Sequence, residues 1–520
     1  MSAAIDLSTM ERPYEQGRQY LENLVTYLDS SETCSMSHSE LERELEKEGR
    51  ELMRILLQEH LNNRGPGKCE EPVCGSDGVK RPQIRSHDRK LETTFGTVDL
   101  NRAGYGQKGV ESLHPLDAEL NLPDERYSLE LRRRVAEEAA KNSFDETRET
   151  IDKTTGGHVP KRQIEELVKR AAQDFDAFYK TRARKTIDTG KTGPVQVITV
   201  DGKGIVMHKQ DLREQTRKAA EKRKHKMGKR LSKGEKNNTK RMATVAAVYT
   251  IEPFERVPED LVREADCRLD NKVKRPRPEN KRVWASLEKQ PEHVIQDAFN
   301  EASQRDPMHE KQWVALVDGE NTQLRILRRI SKEKDIDVTI IVDIIHVIEY
   351  LWNAGRAFHP ESGQELEKWV SHRLLEILRG KAGLMAGGMR RSATVRGLTA
   401  EQRKPVDTCA TYLLNKSPYL QYNRYLSQGF PIATGVIEGA CRHLIKDRME
   451  ITGAKWRLAG AEAVLCLRAL RSSHDFDEYW YFHEACEYRR NHQALYADAI
   501  VPATKKSHQP IKRSHLKIVK

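Results

Sequence analysis

The run at residues 196–206, QVITVDGKGIV, carries an unbroken apolar strand straight into Asp201. A carboxylate at the end of a buried strand is costly unless something positive meets it. The pattern recurs downstream: residues 313–317 run into Asp318-Gly319, and residues 338–342 into Asp343. In an open sheet, ligands gather where strand ends meet. Two carboxylates placed there, with a third from a helix, can hold a pair of Mg²⁺ ions, activating an attacking oxygen and stabilising the leaving oxygen of a phosphodiester. Hard cations take oxygen ligands, which explains acids in place of Cys or His. Taken alone, either Asp201 or Asp318 reads better as a turn former or helix cap. As a set, in this strand order, they read as a site.

The elements that must position these acids fall mostly in residues 191–350, where strands alternate with helices. After Asp201 we expect a tight Gly202-Lys203-Gly204 turn and a second short strand at 205–207. A basic stretch, 208–241, precedes a buried strand at 242–251. Residues 257–285 are Pro- and charge-rich and read as an irregular loop, followed by a helix at 292–303. A basic helix at 324–332 joins the strands that end at Asp318 and Asp343. The order is three antiparallel strands, a helix, then two parallel strands joined by a helix, an α/β arrangement. Residues 347–430 read as helical, with breaks at Gly387-Gly388 and a basic pair, Arg390-Arg391. Residues 434–449 form a helix carrying Glu438, broken at Gly453, and 459–470 an apolar helix.

The N-terminal part is mainly helical. Leu41, Leu45, Leu52, Ile55 and Leu56 recur at helical spacing within 12–62, the outline of a docking or self-association helix pair. Residues 63–82 form a Gly/Pro/Cys loop. Residues 91–98, LETTFGTV, alternate around Gly96 as a β-hairpin. Arg81, Arg85, Arg89 and Lys90 beside it can touch phosphate or form a solvated edge. Ser143 with Glu146 fits a capping box. That helix stops at Gly156-Gly157, and Pro160 suits the first turn of the next. There Ile164, Leu167, Val168, Ala171, Phe175 and Phe178 line one face. Helix, Gly-containing turn, helix outlines a helix-turn-helix, with Lys161, Arg162 and Gln163 leading into a major groove. A plain helical hairpin is the competing reading.

Composition frames this. The chain has 520 residues, 37% hydrophobic and 32% charged, too long for one core. Its net charge of +12 comes in clusters, which favours a polyanion, nucleic acid above all. We divide it into N-terminal helices (1–65), a loop and hairpin (66–120), a helix-turn-helix-like region (121–190), a core in two parts (191–350 and 431–475) around a helical insertion (351–430), and a C-terminal helix with basic tail (476–520). Eight cysteines do not make a disulfide framework, and Cys69 and Cys74 lack a second pair for a zinc ribbon. The N-terminus has no signal-peptide pattern, and the most apolar run, near Val338, is short and carries Asp343. The expectation is a cytoplasmic, nucleoid-associated protein with no membrane partner.

The segments VITVDGKGIVM, KRMATVAAVYTI, WVALVDGENTQL, VDIIHVIEYLW and GVIEGACRHLIKDRMEITGAKWRLAGAEAVLCLRAL resemble the insertion-sequence transposases of the Kra group. These belong to the DDE superfamily with an RNase H-like catalytic core. The resemblance covers most of residues 85–495. It implies an RNase H-like mixed sheet with a helical insertion, and cut-and-join chemistry on DNA ends with two Mg²⁺ ions, Mn²⁺ substituting. It maps the catalytic, metal-binding triad onto Asp201, Asp318 and Glu438. Asp343-Ile344-Ile345-His346 fits the family's Cys- or Asp-x-x-His signature. Asp343 and His346 thereby gain a supporting role near the scissile phosphate, with Asp343 competing with Asp318 for the second place. Otherwise His346 is a buried first-turn histidine and Glu438 an exposed helical pair with Arg442.

Within that frame, Lys203 and the basic insertion, including Arg223, Lys224, Lys226, Lys229 and Arg230, can bind phosphates beside the site, or form a solvated helix. Arg442, Arg448 and Arg457 are further DNA contacts. Trp456 can stack on an unpaired base or sit in the core. Implied partners are the element's terminal inverted repeats, target DNA and further copies of the chain, with 12–62 as a contact. One departure stands out: relatives carry paired Cys motifs in the N-terminal half, whereas GYGQKGVESLHPLD here has none. Competing readings are a non-catalytic DNA-binding relic and an RNase H-like nuclease without strand transfer.

Overall fold

The computed structural model describes residues 13–182, 192–222, 239–266, 275–359 and 363–505. Two compact units emerge, Met1–Lys180 with Phe476–Lys520, and Thr181–Asp475.

In the first unit, helices Glu15–Leu28 and His38–Arg64 run antiparallel, joined by a one-turn helix, Ser31–Cys34. Contacts from Tyr14 to His60 and from Tyr20 to Glu48 fix that pairing. No residue of His38–Arg64 is fully buried. A three-stranded antiparallel sheet follows: β1 (Gln83–Thr93), β2 (Gly96–Gln107) and β3 (Val110–Leu113). The expected hairpin is therefore present but much longer, closing where Thr93 pairs with Gly96. Arg81 and Arg89 turn inward rather than toward solvent. Arg81 is buried against Asp77 and the Glu111 carbonyl, and Arg89 bonds the Pro123 and Glu125 carbonyls.

Helices Leu129–Ala139, Phe144–Thr154, Lys161–Ala172 and Phe175–Thr181 complete the unit with Phe476–Asn491. Ser143 and Glu146 form the capping box: Ser143 Oγ accepts from the Glu146 N–H at 3.2 Å, and the Glu146 carboxylate accepts from the Ser143 N–H at 2.9 Å. Such a cap stabilises a helix by about 1 kcal/mol. A Cβ on Gly156 would stand 2.3 Å from the Phe95 carbonyl oxygen. The glycine thus lets the inter-helix turn lie against the hairpin loop. Pro160 takes the N-cap position of the following helix.

The second unit is built on a five-stranded mixed sheet: β4 (Val195–Val206), β5 (Lys240–Ile251), β6 (Glu279–Ser286), β7 (Gln312–Val317) and β8 (Val338–Val342), in the order β6-β5-β4-β7-β8. β4, β5 and β6 are antiparallel neighbours; β7 and β8 run parallel to β4. Three antiparallel strands are as expected, but one is not the strand expected. Gly202-Lys203-Gly204 makes no turn, and β4 continues through it, paired from Val195↔Ile251 to Val206↔Lys240. The third antiparallel strand is β6, inside the segment expected to be a loop. Helices Pro291–Arg305 and Asn321–Glu333 bury Val294, Ile295, Phe299, Leu324 and Leu327. Helix Leu458–Ser472 packs on β6.

The helical insertion comprises Ile344–Phe358, Gln364–Leu378, Ala382–Val395, Ala400–Lys416 and Tyr422–Ser427. Gly387-Gly388 lies inside the third of these, not at a break. The chain turns instead at Gly380 (φ +83°) and Gly397 (φ +63°), the left-handed conformation glycine adopts freely. Among the described residues no helix is long and apolar enough to cross a membrane.

Candidate metal and DNA site at the parallel strand ends

Parallel pairing of β4 with β7 ends at Val200↔Val317, and that of β7 with β8 at Val317↔Val342. The next residue on each strand is an aspartate: Asp201, Asp318 and Asp343. Neighbouring strands lie about 4.8 Å apart, so register alone sets the three aspartates side by side. Asp201 is not at a strand terminus; it stands where β7 stops beside a strand that goes on.

Each acid has its own surroundings. Asp201, half-buried, accepts from the Gly202 N–H at 2.6 Å and from the Cys441 thiol at 3.2 Å. Asp318, also half-buried, accepts from the Glu320 N–H at 2.9 Å through Oδ1; its other oxygen has no hydrogen-bond partner among the described residues. Its own carbonyl accepts from Tyr412 OH at 3.1 Å. Gly319 (φ +89°) makes this sharp exit possible, and a Cβ there would come 3.1 Å from that hydroxyl. Burial pushes the Asp318 carboxyl above its usual range; the Asp201 charge adds to this and His346 opposes it. The strand ends therefore hold negative charge that the protein answers only weakly.

Asp343 differs. It is fully buried and caps helix Ile344–Phe358, accepting from the Ile345 N–H at 3.0 Å. It also accepts from Thr434 Oγ1, and lies 3.4 Å from His346 Nδ1. That bond to Asp343 is the main cause lifting the half-buried His346 imidazole above its ordinary value. The Asp318 charge adds to that lift.

Glu438 comes from the short helix Gly435–Ala440, which packs on β4 and β5 and runs into a π-helical turn, Cys441–Lys446. π turns concentrate at functional sites because they re-aim side chains. Arg468 donates to the Leu444 carbonyl at 2.7 Å and to the His443 carbonyl, tying down this turn. Thr434, Glu438 and Cys441 are spaced i, i+4, i+7, one face of a helix. The first touches Asp343 and the last Asp201. Burial, then Asp201 and last Glu438, drive the Cys441 thiol upward.

The three triad carboxylates are not drawn into one tight chelate. Glu438 is exposed and has no hydrogen-bonded or ion-paired partner among the described residues. The set of three ligand atoms all within 4.8 Å of one another is elsewhere: Asp174, His483 and Glu487, in the first unit. There, Arg132 donates to Glu487 at 2.6 Å and lies 3.1 Å from His483 Nε2, while Arg490 bonds Asp174 at 2.5 Å. Guanidinium groups already take the place a cation would fill.

The proposed DNA contacts separate into classes. Lys161, Arg162 and Gln163 are exposed at the start of their helix, Lys161 paired with Asp145 at 2.6 Å. Lys203 is half-buried, two residues beyond Asp201 on the same face of β4. Arg442 and Arg457 are exposed, with ion pairs to Asp447 (3.8 Å) and Asp211 (3.3 Å). Arg448 and Trp456 are not surface groups. Trp456 is 6% exposed and donates to the Met449 carbonyl at 2.9 Å, with the Arg448 guanidinium 5.0 Å above its ring. Its backbone hydrogen-bonds beside the end of β4, so the ring belongs to the core and has no face for a base. Arg223, Lys224, Lys226, Lys229 and Arg230 lie outside the described residues. Cys69 sits against the cluster of Val73, Tyr105 and Tyr496, its Sγ 3.8 Å from the Pro502 carbonyl; Cys74 Sγ faces the Gly75 carbonyl.

Four side chains at the site escaped the reading of the sequence: Thr434, Cys441, Tyr412 and Lys416. Lys416 is 6% exposed and donates to Asn321 Oδ1 at 2.5 Å; burial lowers its ammonium pKa, and the nearby Glu320 and Asp318 charges resist that. Helical spacing from Glu438 was the available signal for Thr434 and Cys441. Nothing in the sequence pointed to Tyr412 or Lys416.

No family model matches the chain, and no curated protein is similar enough to count as a relative.

Proposed function

We propose that this chain is a DDE-type transposase that cuts the ends of an insertion element and joins them to target DNA. The observation that carries the reading is the register of Asp201 and Asp318. Two half-buried carboxylates stand at adjacent positions on parallel strands, and burial together with the Asp201 charge makes an ionised Asp318 costly without a cation. The sheet order, three antiparallel strands followed by two parallel ones, supports an RNase H-like core. The segments that resemble Kra-group transposases supply every acid of the triad.

The donor set fits Mg²⁺ or Mn²⁺: oxygen ligands only, one Asp318 oxygen unpartnered, and a Glu438 carboxylate open to solvent. Bound there, a pair of such ions supplies charge stabilisation to the attacking and leaving oxygens of a phosphodiester. The protein's residues do the rest. Asp201 and Asp318 hold one side of the site rigidly, because Asp201 lies within a paired strand and Asp318 directly follows one. Tyr412 fixes the backbone behind Asp318. Glu438 closes the site from the helix. His346, aimed by Asp343 through Nδ1, leaves Nε2 to hold a proton for a leaving oxygen. Lys203 adds positive charge on the strand face beside Asp201. Most of the catalysis is positioning and preorganised electrostatics. Lys161, Arg162 and Gln163 contact the element's terminal repeats. The chain works in the cytoplasm on the nucleoid, as an oligomer.

The experiment is cleavage and joining of labelled DNA carrying the sequences that flank the gene, with Mg²⁺. Asp201→Asn, Asp318→Asn and Glu438→Gln are each expected to lose about 10²–10³-fold or more in rate, as for other preorganised charge-stabilising groups. Variants that cut like the wild type would falsify the proposal. Nicked DNA with no joined product assigns the chain to nucleases of the same core instead.

A further inference from the structure

Asp343 and Asp318 stand at equivalent ends of neighbouring strands, yet their oxygens are used differently. Asp343 is 0% exposed. Its Oδ1 accepts from the Ile345 N–H, and its Oδ2 accepts from Thr434 Oγ1 and faces His346 Nδ1. Both oxygens are committed to protein donors, as those of Asp201 are, but Asp201 is only half-buried whereas Asp343 is wholly shut off from solvent. Thr434 is itself 4% exposed and immediately precedes the helix Gly435–Ala440 that bears Glu438. A backbone bond reinforces the junction, the Ile344 N–H donating to the Ile432 carbonyl at 3.0 Å. At the far end of the same helix face, Cys441 donates to Asp201 at 3.2 Å.

The dimensions agree. Seven residues of helix, from Thr434 to Cys441, advance about 10.5 Å. Two strand spacings, from β8 across β7 to β4, cover about 9.6 Å. One helical face therefore spans the three strand ends, pinned at both.

We propose that the Asp343–Thr434 pair is a latch that sets the Glu438 helix against the strand ends, and that Asp343 is a positioning residue which binds no cation itself. This rests on the reading of Asp201, Asp318 and Glu438 as the cation ligands. It settles which acid takes the second place: Asp318 keeps an oxygen for a cation, and Asp343 holds the third ligand's support. It also ties His346 to the same carboxylate, so one buried group aims both a cation ligand and an imidazole.

The test uses the full chain and two readouts that need no DNA: backbone hydrogen exchange across residues 432–441, and binding of Mn²⁺ alone followed by its spin resonance. Thr434→Val keeps the side chain's shape and removes the hydroxyl. It should raise exchange across that segment by about tenfold or more, the ratio for losing a hydrogen bond to a charged group, and weaken Mn²⁺ binding. Thr434→Ser keeps the hydroxyl and should restore both. Asp343→Asn should retain the Mn²⁺ stoichiometry of the wild type, whereas Asp318→Asn should lose an ion. Unchanged exchange in Thr434→Val, or no rescue by Ser, overturns the latch. Loss of an ion in Asp343→Asn overturns its assignment as a positioning residue. If the wild type binds no Mn²⁺ at all, the ligand reading fails, and the exchange arm still decides the latch.

Discussion

Two clusters of acids in this chain invite the same description and behave as opposites. In the first unit, Glu125, Glu487 and His483 surround Arg132, which is fully buried; Arg170 also bonds Glu125, and Asp174 bonds His483 and Arg490. Every carboxylate there meets a guanidinium. In the second unit, Asp201 and Asp318 meet backbone N–H groups, one thiol and each other. The tighter constellation is ion-paired throughout, whereas neither Asp201 nor Asp318 forms an ion pair among the described residues. Ligand spacing alone favours the first cluster. Counting which charges are answered favours the second, the one proposed above to take a cation.

The largest test of that contrast removes the answering charge. Arg132→Met takes the buried guanidinium from Glu125 and Glu487, leaving them only Arg170 and Arg490, and should cost up to about 3–5 kcal/mol of stability, read by denaturant unfolding. Mn²⁺ binding at the strand ends should be unchanged. If Arg132→Met instead creates a strong metal site among Asp174, His483 and Glu487, the guanidinium was standing in for a cation, which sharpens the comparison. An unfolding midpoint equal to the wild type would break it.

Next in size is the effect of supplying the missing charge to the second unit. Divalent cation at ten times its dissociation constant should stabilise that unit by about 1.4 kcal/mol, through mass action alone. Mg²⁺ should thus slow exchange in β7 and in Gly435–Ala440, and not in Phe476–Asn491. Asp201→Asn should abolish the effect. Equal protection of both regions would mean a general ionic effect rather than a site.

How far the sequence revealed this arrangement follows from the same physics. β7, β8 and the helix between them were legible because each apolar run is local and each ends in a charged residue. The Ser143–Glu146 cap was legible because it is complete within four residues. β4 was misread at Gly202 and Gly204, where glycine usually marks a turn. Here the glycines make room for β5: a Cβ at Gly204 would come 2.8 Å from Lys240 Cδ, and one at Gly202 3.3 Å from Met242 Cε. β6 was missed because its first half, Glu279-Asn280-Lys281, is polar and lies on the sheet's edge. Glu438 could be named from resemblance. Its supports, Thr434 and Cys441, are partners of residues far away in sequence, and no local pattern announces them. Trp456, set between Lys455 and Arg457, left stacking and core both open for the same reason: its burial depends on the distant end of β4.

The smallest effect separates the clusters by sign. Arg132 and its neighbours hold the Glu487 carboxyl below its usual range despite its burial, so the unfolded chain takes up that proton first as pH falls. The stability Glu487 contributes is therefore present at neutral pH and is lost as pH drops through its folded value. Asp318 runs the other way. Its carboxyl is raised, chiefly by burial, so the folded chain takes up the proton first, and stability falls as pH rises through its folded value. Without divalent cation, Glu487→Gln should destabilise at pH 7 and do so less in acid. Asp318→Asn should be neutral or stabilising at pH 7, with the gain vanishing in acid. The measurement is a pair of denaturation midpoints for each variant at two pH values. Slopes of the same sign would mean that the strand-end carboxylates are as well compensated as the buried network, and the case for a cation there would lose its electrostatic ground.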